Sequence, residues 1–354
     1  MTQILVAAMS AFAFTILVTP VAIRVLRSHS IGQFIQEDVR GHMHKRGTPT
    51  MGGIVIIVGA LLGYVGAHFR FFTLGEGVDM TMHAFAPEGW LAVLALVGMG
   101  FIGFLDDFVK YARKGNQGLS KRWKFVGQLA VAVAFAWGAG LIGVSTELSF
   151  LRPLGIDLGP ILYFVLVLVM LTAAANAVNL TDGLDGLVAG SISLVFGAYV
   201  LIAFWQFRNV AFYFMDVNGA LDLARFSAAV VGAALGFLWW NAPPAQIFMG
   251  DTGSQALGGA LAALALLTNT QLLLLLLGGL YVIETMSVIG QVFAFRVFGR
   301  RILRMAPIHH HFELRGWPET IVIIRFWILA GIMVALGVGL FYADFLSLSA
   351  AGTP

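Results

Sequence analysis

The sequence contains no cysteine and little charge, and both absences narrow the class of protein. The 354 residues include no cysteine, which excludes disulfide bonds and leaves the redox compartment undetermined. Only 11% of the residues are charged and 59% are hydrophobic, whereas a soluble domain carries about 25% charged residues. The apolar runs are long and continuous, which excludes the alternating pattern of a membrane barrel. The composition therefore predicts an all-α, polytopic integral membrane protein, with one domain over residues 1–354, because helices satisfy their own backbone groups in a bilayer.

Ten apolar runs come close to the ~20 residues that a helix needs to cross a bilayer. We predict spans at residues 3–23, 52–69, 90–108, 125–144, 160–178, 187–206, 226–241, 256–270, 272–295 and 320–343. Five, six and five of the 21 Lys and Arg residues lie in the loops after the first, third and ninth spans. The positive-inside rule then predicts that these loops are cytoplasmic and that both termini are periplasmic. The net charge of +3 comes from these juxtamembrane loops, so it does not indicate nucleic acid binding.

Polar residues with a three-residue period follow the fifth apolar run. Asn176, Asn179, Asp182 and Asp185 lie at the predicted membrane edge. Helical residues three apart share a face, although the two glycines of this stretch are expected to break the helix and to let backbone approach a ligand. A helix end with a polar turn would explain one Asp and one Gly, but not four polar groups in phase. We therefore favour a functional site.

Three other polar groups are candidates for the same site. Asp106 and Asp107 end the third span. Acids at the C-terminal end of a helix oppose the macrodipole, so this is a poor position for residues that serve only to make the helix end soluble. Asp251 stands in a glycine-flanked turn, either as a simple N-cap or as a cation ligand beside a helix N-terminus that favours phosphate. The run His309–His311 could bind a transition metal, contact a phosphate, or form a polar loop. Its consecutive histidines lack the one-turn spacing that two zinc ligands on a helix have.

All these groups lie on the predicted cytoplasmic side, although the topology was drawn from Lys and Arg alone. Five carboxylates with few soft ligands suit Mg²⁺, which uses one or two carboxylates plus substrate phosphates. The basic loops, with Lys45, Lys121 and Lys124, suit an anionic substrate. The residues thus predict a Mg²⁺-dependent membrane enzyme with a cytoplasmic active site that acts on a phosphorylated substrate.

Five segments in order give the chain a resemblance to a known family. They are His44–Gly53, Gly103–Asp107, Asn176–Gly186, Asn241–Ser254, and Pro307–Glu313 with Gly316–Glu319. On these segments the chain resembles the phospho-N-acetylmuramoyl-pentapeptide transferases of the polyprenyl-phosphate N-acetylhexosamine-1-phosphate transferase superfamily. The run Pro-Ile-His-His-His-Phe-Glu favours this branch over the N-acetylglucosamine branches.

The resemblance implies a reaction, partners and site residues. Undecaprenyl phosphate would attack UDP-MurNAc-pentapeptide in the bacterial inner membrane, giving lipid I and UMP, the first membrane step of peptidoglycan biosynthesis, and the enzyme would be a homodimer. The implied catalytic residues are Asp106, Asp107, Asp251 and His310, and the first three are also candidate Mg²⁺ ligands. The implied substrate contacts are Lys45, Thr50, Lys124, Asn176, Asn179, Asp182, Asp185, Asn241, Phe248, Gln291, His309 and His311. Phe248 is a candidate to stack on uracil.

Two mechanisms and two other functions remain open from the sequence. Either an Asp attacks and forms a phospho-enzyme, or the lipid phosphate attacks directly; we hypothesise direct attack, because a phosphate monoester with a second pKa near 6 is mostly a dianion at pH 7. A sister transferase would use UDP-N-acetylglucosamine with the same carboxylates. An ion-coupled transporter would place its acids near the midplane between repeats, and the sequence shows no internal repeat.

Overall fold

The protein is a helical bundle with two small hairpins in this computed structural model. The structure describes residues 1–29, 32, 47–70, 81–213 and 216–350. Their helices are α1 Thr2–Ser28, α2 Gly53–Gly66, α3 Pro87–Ala112, α4 Lys121–Leu141, α5 Gly159–Thr181, α6 Leu187–Arg208, α7 Val210–Tyr213, α8 Val217–Asn241, α9 Gly250–Leu267, α10 Leu274–Leu277, α11 Gly279–Phe298, α12 Ile308–Glu313 and α13 Glu319–Ala350. Their strands are β1 Phe69–Arg70, β2 Thr81–Met82, β3 Glu147–Ser149 and β4 Pro153–Asp157. The helical class predicted from composition is confirmed.

Each predicted span overlaps at least one helix, but not every helix has the length and hydropathy of a span. Among the described residues, eight helices are long and apolar enough to cross a bilayer: α1, α3, α4, α5, α6, α8, α11 and α13. Helix α2 is apolar but shorter, and α9 begins with the polar run Gly250–Gln255. The polytopic membrane architecture is therefore confirmed, while the count of ten and the periplasmic termini stay predictions.

The predicted ninth span, 272–295, is not one continuous helix. Helix α10 ends at Leu277, and α11 begins at Gly279 and runs to Phe298. Gly299 follows in the left-handed conformation, with φ of 66°, which is the usual glycine C-cap geometry. The leucine run from 272 to 277 suits both a span and a buried turn, so its hydropathy could not show the break.

Helix α9 is the centre of the bundle and fixes the position of the site. Every residue from Thr252 to Leu267 is buried, and α9 packs against α2, α3, α5 and α6. The approach to α3 is close enough that a Cβ on Gly103 would collide with the Asp251 carbonyl oxygen. Glycine at this position therefore brings the end of α3 against the start of α9.

A second group of helices extends the bundle away from α9. Helix α8 packs along α1, α2 and α6, and 17 of its residues are buried. At ~1.5 Å per residue, the 19 steps from Asp222 to Asn241 place these two residues about 28 Å apart along α8. The helix therefore connects two separate polar regions, one at each end of the bundle.

The polar region near the start of α8 is a closed set of buried side chains, which we call the distal cluster: Tyr64, His68, Asp222 and Arg225. Asp222 Oδ1 accepts from His68 Nε2 at 2.6 Å and from Arg225 NH1 at 2.8 Å. Its Oδ2 accepts from the Tyr64 hydroxyl at 2.7 Å and from the Ala86 backbone N–H at 2.8 Å. The cluster joins the ends of α2, α3 and α8.

The antiparallel hairpins lie at this same end. Phe69 pairs with Met82 in β1–β2, and Leu148 pairs with Ile156 in β3–β4, with a register shift after Leu148. Arg152 in the second hairpin forms a 2.7 Å ion pair with Asp344 of α13.

Candidate active site

Three carboxylates meet where α3 ends and α9 begins. Asp106 and Asp107 lie in the last turns of α3, and Asp251 lies in the first turn of α9. One oxygen from each of the three carboxylates lies within 4.8 Å of the others. We call these residues the acidic cluster. The structure thus brings together the two polar groups whose sequence separation is 144 residues.

Asp107 connects the two helices within this cluster. Its Oδ2 accepts from the Thr252 N–H at 2.9 Å and from the Thr252 hydroxyl at 2.7 Å, and its Oδ1 accepts from the Asp251 N–H at 3.3 Å. These N–H groups have no partner inside α9, because they belong to its first turn. Asp107 therefore caps α9 from a different helix and fixes the Asp251 backbone.

Two lysines neutralise most of the charge of the acidic cluster. Lys110 Nζ lies 2.7 Å from Asp106 Oδ2, 3.1 Å from Asp251 Oδ1 and 3.5 Å from Asp107 Oδ1. Lys124 of α4 pairs with Asp251 Oδ2 and lies 4.0 Å from Asp106 Oδ1. The sequence reasoning named Lys124 but missed Lys110 as a site residue. Its spacing was a usable signal, because residues three and four after two aspartates share their helix face.

The loop 182–186 lies beside the acidic cluster. Burial raises the pKa of the Asp182 carboxyl well above its ordinary value, and the negative charges of Asp251 and Asp107 raise this pKa further. The raised pKa favours the neutral, protonated form of Asp182, so this fourth nearby aspartate is a hydrogen-bonding acid beside the charged cluster. Gly186 takes the left-handed conformation, with φ of 74°, and this turn starts α6.

Asp185 and Asn241 hold this loop against the segment after α8. Asp185 Oδ2 accepts from the Ala245 N–H at 3.0 Å, and the Asp185 N–H donates to Glu319 Oε1 at 3.1 Å. Asn241 Oδ1 accepts from the Gly186 N–H at 3.1 Å, and its Nδ2 donates to the Ile247 carbonyl at 2.8 Å. Both side chains thus fix the two loops that lead into α6 and α9.

The two asparagines at the end of α5 contact polar groups of α4 and α9. Asn179 Nδ2 donates to Ser254 Oγ at 2.8 Å. Asn176 lies one turn deeper, where its Nδ2 donates to Gln128 Oε1 at 3.0 Å and to the Thr172 carbonyl at 2.8 Å. Asn176 and Asn179 thus contact two different neighbouring helices, and α5 ends at Thr181 before the glycines, as the sequence predicted.

The histidine run forms the short helix α12 and has a partner that the sequence reasoning missed. His309 is fully buried, and its Nδ1 lies 3.1 Å from Glu284 Oε1 of α11, which is also fully buried. A Cβ on Gly183 would collide with the His309 ring, so the run lies against the loop beside the acidic cluster. A lone glutamate inside the ninth apolar run was the signal, because buried acids in spans are costly and functional.

The other two histidines have local partners. His310 Nδ1 lies 2.7 Å from Glu313 Oε2. His311 Nδ1 accepts from the Arg304 N–H at 3.0 Å. Burial lowers the pKa of His311, and the charges of Arg315 and Arg304 lower this pKa further. His311 is therefore neutral at pH 7, as its acceptor role requires.

The remaining predicted contacts have different positions. Phe248 is half-buried; its N–H donates to the Pro49 carbonyl at 2.8 Å, which places neighbouring Thr50 beside Gly250 and Asp107. Gln291 binds the backbone of Leu303 through both amide atoms, at 3.0 Å each, and no contact among the described residues joins it to the acidic cluster. Lys45 lies outside the described residues. The substrate roles of all these residues stay predictions.

The acidic cluster fits a divalent cation such as Mg²⁺ by its donor chemistry. All three side chains offer hard carboxylate oxygens, which Mg²⁺ prefers over nitrogen or sulfur. The ammonium groups of Lys110 and Lys124 contact these same oxygens. Positive charge is therefore already stabilised at this position. A cation would compete with the two lysines for the carboxylate oxygens, whereas a phosphate ligand would bind to the lysines.

Comparison with known proteins gives one consistent family. The glycosyl transferase family 4 model matches residues 90–269, and a signature of phospho-N-acetylmuramoyl-pentapeptide-transferases matches residues 45–57. A phospho-N-acetylmuramoyl-pentapeptide-transferase of Frankia casuarinae is 50% identical over 98% of this chain and 99% of its own length. Relatives with the same name from Mycobacterium leprae and Streptomyces coelicolor are 48% and 47% identical, over 98% and 97% of this chain and 99% and 98% of their own lengths.

Proposed function

The chain belongs to the phospho-N-acetylmuramoyl-pentapeptide-transferase family, and from this membership we propose its reaction. It transfers phospho-MurNAc-pentapeptide from UDP-MurNAc-pentapeptide to undecaprenyl phosphate, and the products are lipid I and UMP. The family is one of transferases in peptidoglycan biosynthesis, and this chain is a multi-pass bacterial membrane protein. The observation that supports the specific reaction most is the acidic cluster with its two lysines at one end of the bundle.

The reaction exchanges one diphosphate bond for another. A lipid phosphate oxygen attacks the β-phosphorus of the nucleotide, and the bond from this phosphorus to the bridging oxygen breaks, so that UMP leaves with the electron pair. Because the two bonds are similar, catalysis consists of positioning and charge stabilisation, as in other phosphoryl transfers. Two anionic phosphates must approach each other, which is the step where lysine charges contribute most.

The residues divide between holding a cation and holding phosphate. Asp251, Asp106 and Asp107 would hold Mg²⁺, which when bound supplies positive charge to the diphosphate oxygens. Lys110 and Lys124 lie on the same carboxylates and are flexible enough to turn their ammonium groups to an arriving phosphate. Asp107 keeps α3 and α9 together while they do so, through Thr252.

The contacts of Asp107 support direct attack by the lipid phosphate. Both its oxygens accept hydrogen bonds from the first turn of α9, and these bonds stabilise the carboxylate charge and so lower its nucleophilicity toward phosphorus. The lipid phosphate is mostly a dianion at pH 7 and above and needs no strong base. Incubation of the enzyme with labelled nucleotide alone tests this step: recovery of an acid-stable phosphoryl-aspartate would contradict direct attack.

The substrate groups are assigned to the residues around the cluster. Asn179, Asp182, Asp185, Asn241 and Phe248 form the nucleoside and diphosphate pocket. The histidine run, with His310 foremost, contacts the diphosphate or the sugar. We further propose that this end of the bundle faces the cytoplasm, since the nucleotide is made there, and that the enzyme is a homodimer in the inner membrane.

UMP release by the purified protein in detergent is the experiment that tests the function. The mixtures contain undecaprenyl phosphate, Mg²⁺ and either UDP-MurNAc-pentapeptide or UDP-GlcNAc, with and without EDTA. We expect release with the muramoyl nucleotide alone, and no release after EDTA. Release with UDP-GlcNAc instead would move the protein to the sister branch, and no release from either nucleotide by a folded sample would reopen the transporter class.

A further inference from the structure

Three amide side chains from three helices meet one turn below the acidic cluster. Gln128 of α4 is 1% exposed and Gln255 of α9 is fully buried. Gln128 Nε2 donates to Gln255 Oε1 at 2.9 Å, and Gln128 Oε1 accepts from Asn176 Nδ2 at 3.0 Å. The proposed reaction assigns no role to Gln128 or Gln255, so these two buried amides need another explanation.

The spacing of the glutamines repeats the spacing of the charged pair above them. Gln128 follows Lys124 by four residues on α4, and Gln255 follows Asp251 by four residues on α9. Residues four apart lie on one helix face. The ion pair Lys124–Asp251 and the amide pair Gln128–Gln255 are therefore two successive side-chain links between the same two helices.

These links matter because little else joins α4 to α9. The backbone of α4 packs along α3 and α5, and its other buried residues are Ala132, Phe135 and Ala139. Gln128 thus begins a stripe that is otherwise apolar. Long side chains, not backbone packing, carry the contact between α4 and α9.

Stability alone does not explain the amide pair. A buried amide that lacks a partner costs roughly 1–3 kcal/mol, and Gln255 Nε2 has no hydrogen-bond partner among the described residues. A pair of leucines would fill similar volume without this cost, because replacing both partners of a buried hydrogen bond is nearly neutral. The hydrogen bond offers something that leucines lack, which is a fixed register between the two helices.

We propose that Gln128 and Gln255 are positioning residues that hold α4 in register with α9, so that the Lys124 ammonium stays on Asp251 and sets the affinity of the acidic cluster for divalent cations. This inference rests on the proposed function only for its kinetic consequence. Lys124 occupies an oxygen that a cation would bind, so it competes with the cation. The same lysine is then available at a fixed position for the substrate diphosphate.

The test measures cation binding without turnover. The full chain is purified in detergent, and its unfolding temperature is followed as MgCl₂ is added, for the wild type, Gln128→Leu and Gln255→Leu. We expect the Mg²⁺ concentration for half-maximal stabilisation to fall about tenfold in each variant, a typical size for a residue that orients a ligand, because Lys124 competes less well.

Gln206→Leu is the matched control. Gln206 of α6 is also 1% exposed, donates to the Thr268 carbonyl at 2.8 Å and leaves its Oε1 unpartnered, but it makes no described contact with α4. It should lose similar stability with no change in the Mg²⁺ midpoint. An equal change in Gln206→Leu and Gln128→Leu, or no change in either, would overturn the proposal. If Gln128→Leu fails to fold, Gln128→Met keeps the length of the side chain and receives the same measurement.

A double variant shows whether the glutamines act through Lys124. In a Lys124→Ala background, Gln128→Leu should cause no further change in the Mg²⁺ midpoint; an undiminished change would overturn the proposal. A kinetic experiment measures UMP release. Gln128→Leu should raise KM for the nucleotide by a larger factor than it lowers kcat. A fall in kcat with unchanged KM would contradict a positioning role. Absence of UMP release by the wild type would refute the proposed reaction instead, and the Mg²⁺ titration would still decide the role of the glutamines.

Discussion

The two ends of the bundle hold carboxylates in opposite ways. At the distal cluster, Asp222 accepts four hydrogen bonds, two on each oxygen, from Tyr64, His68, Arg225 and the Ala86 N–H. At the acidic cluster, three carboxylates share two lysine ammonium groups. Burial and the charges of Asp251 and Asp107 raise the pKa of the neighbouring Asp182 well above its ordinary value, which is a further sign of excess negative charge at this end.

The difference separates structural charge from functional charge. The distal aspartate is saturated by rigid or short donors, and one Arg matches its charge, so a ligand would find no free acceptor there. The acidic cluster is under-neutralised, and its cations are carried on flexible lysine stems that can move. A buried carboxylate with all its acceptors filled stabilises a fold, whereas a group of partly neutralised carboxylates is ready to bind a cation.

The largest expected effect is the loss of activity in Asp251→Ala. This change removes the carboxylate that contacts both lysines, and we expect UMP release to fall by roughly a thousandfold, about 4 kcal/mol in the barrier. The unfolding temperature in EDTA should change little, because the loss of the ion pairs with Lys110 and Lys124 is offset by the smaller repulsion among the remaining carboxylates. The control is Asp157→Ala in the exposed β4 strand, which should retain activity; a retained activity in Asp251→Ala would remove the acidic cluster from catalysis.

Asp222→Ala should show the reverse pattern. It leaves Arg225, which is 5% exposed, without its carboxylate partner, and breaking a buried pair in this way costs about 3 kcal/mol or more. Denaturation in detergent measures this loss. Activity per folded molecule and the Mg²⁺ midpoint should match the wild type. A large change in KM with normal stability would show that the distal cluster is not purely structural.

Asp182→Asn should stabilise the cation-free protein at neutral pH. The folded protein holds the Asp182 pKa above its ordinary value, so the folded state binds more protons than the unfolded state as pH rises past that ordinary value, and stability falls. The stability is fully present below the unfolded pKa and is lost as pH rises through the folded pKa. The amide cannot ionise and therefore removes this loss. Unfolding temperatures in EDTA at pH 4 and pH 7 should differ less for the variant; an unchanged pH dependence would assign the effect elsewhere.

The smallest effect is expected for Arg152→Ala. Its ion pair with Asp344 is 2.7 Å long, but the arginine side chain is 41% exposed, and exposed pairs contribute about 0–1 kcal/mol. A loss of unfolding free energy below about 1 kcal/mol, and smaller still at high salt, would show that this exposed ion pair contributes far less than the buried pair of Asp222. A loss as large as that of Asp222→Ala would mean that the hairpin contact with α13 is a main support of the fold.

The sequence predicted the helices and the end of the bundle that carries the site better than it predicted side-chain pairs. Long apolar runs define spans because a bilayer demands them, and glycines after Thr181 marked the real end of α5. The convergence of Asp106, Asp107 and Asp251 followed from assigning basic loops to one side. This inference needed the order of spans but no knowledge of which helices touch.

The missed features depend on which helices are neighbours. Glu284 and His309 are 25 residues apart, and Gln128 and Gln255 are 127 apart; hydropathy gives their depth but not their partners. The break at Gly278 was hidden by leucines that suit a buried turn as well as a span. Lys110 is different, because its three- and four-residue spacing from the aspartates was visible in the sequence.

The last long helix has a consequence for biosynthesis. Helix α13 supplies Glu319, which accepts from the Asp185 N–H, and Asp344, which pairs with Arg152. It therefore fastens both ends of the bundle, although it leaves the ribosome after every helix that it fastens. The loop at the site has its Glu319 contact only after α13 is inserted, so a nascent chain that stops before residue 319 has inserted helices and an unfinished loop. The contact that holds the loop 182–186 through Glu319 therefore forms only after residue 319 has been synthesised.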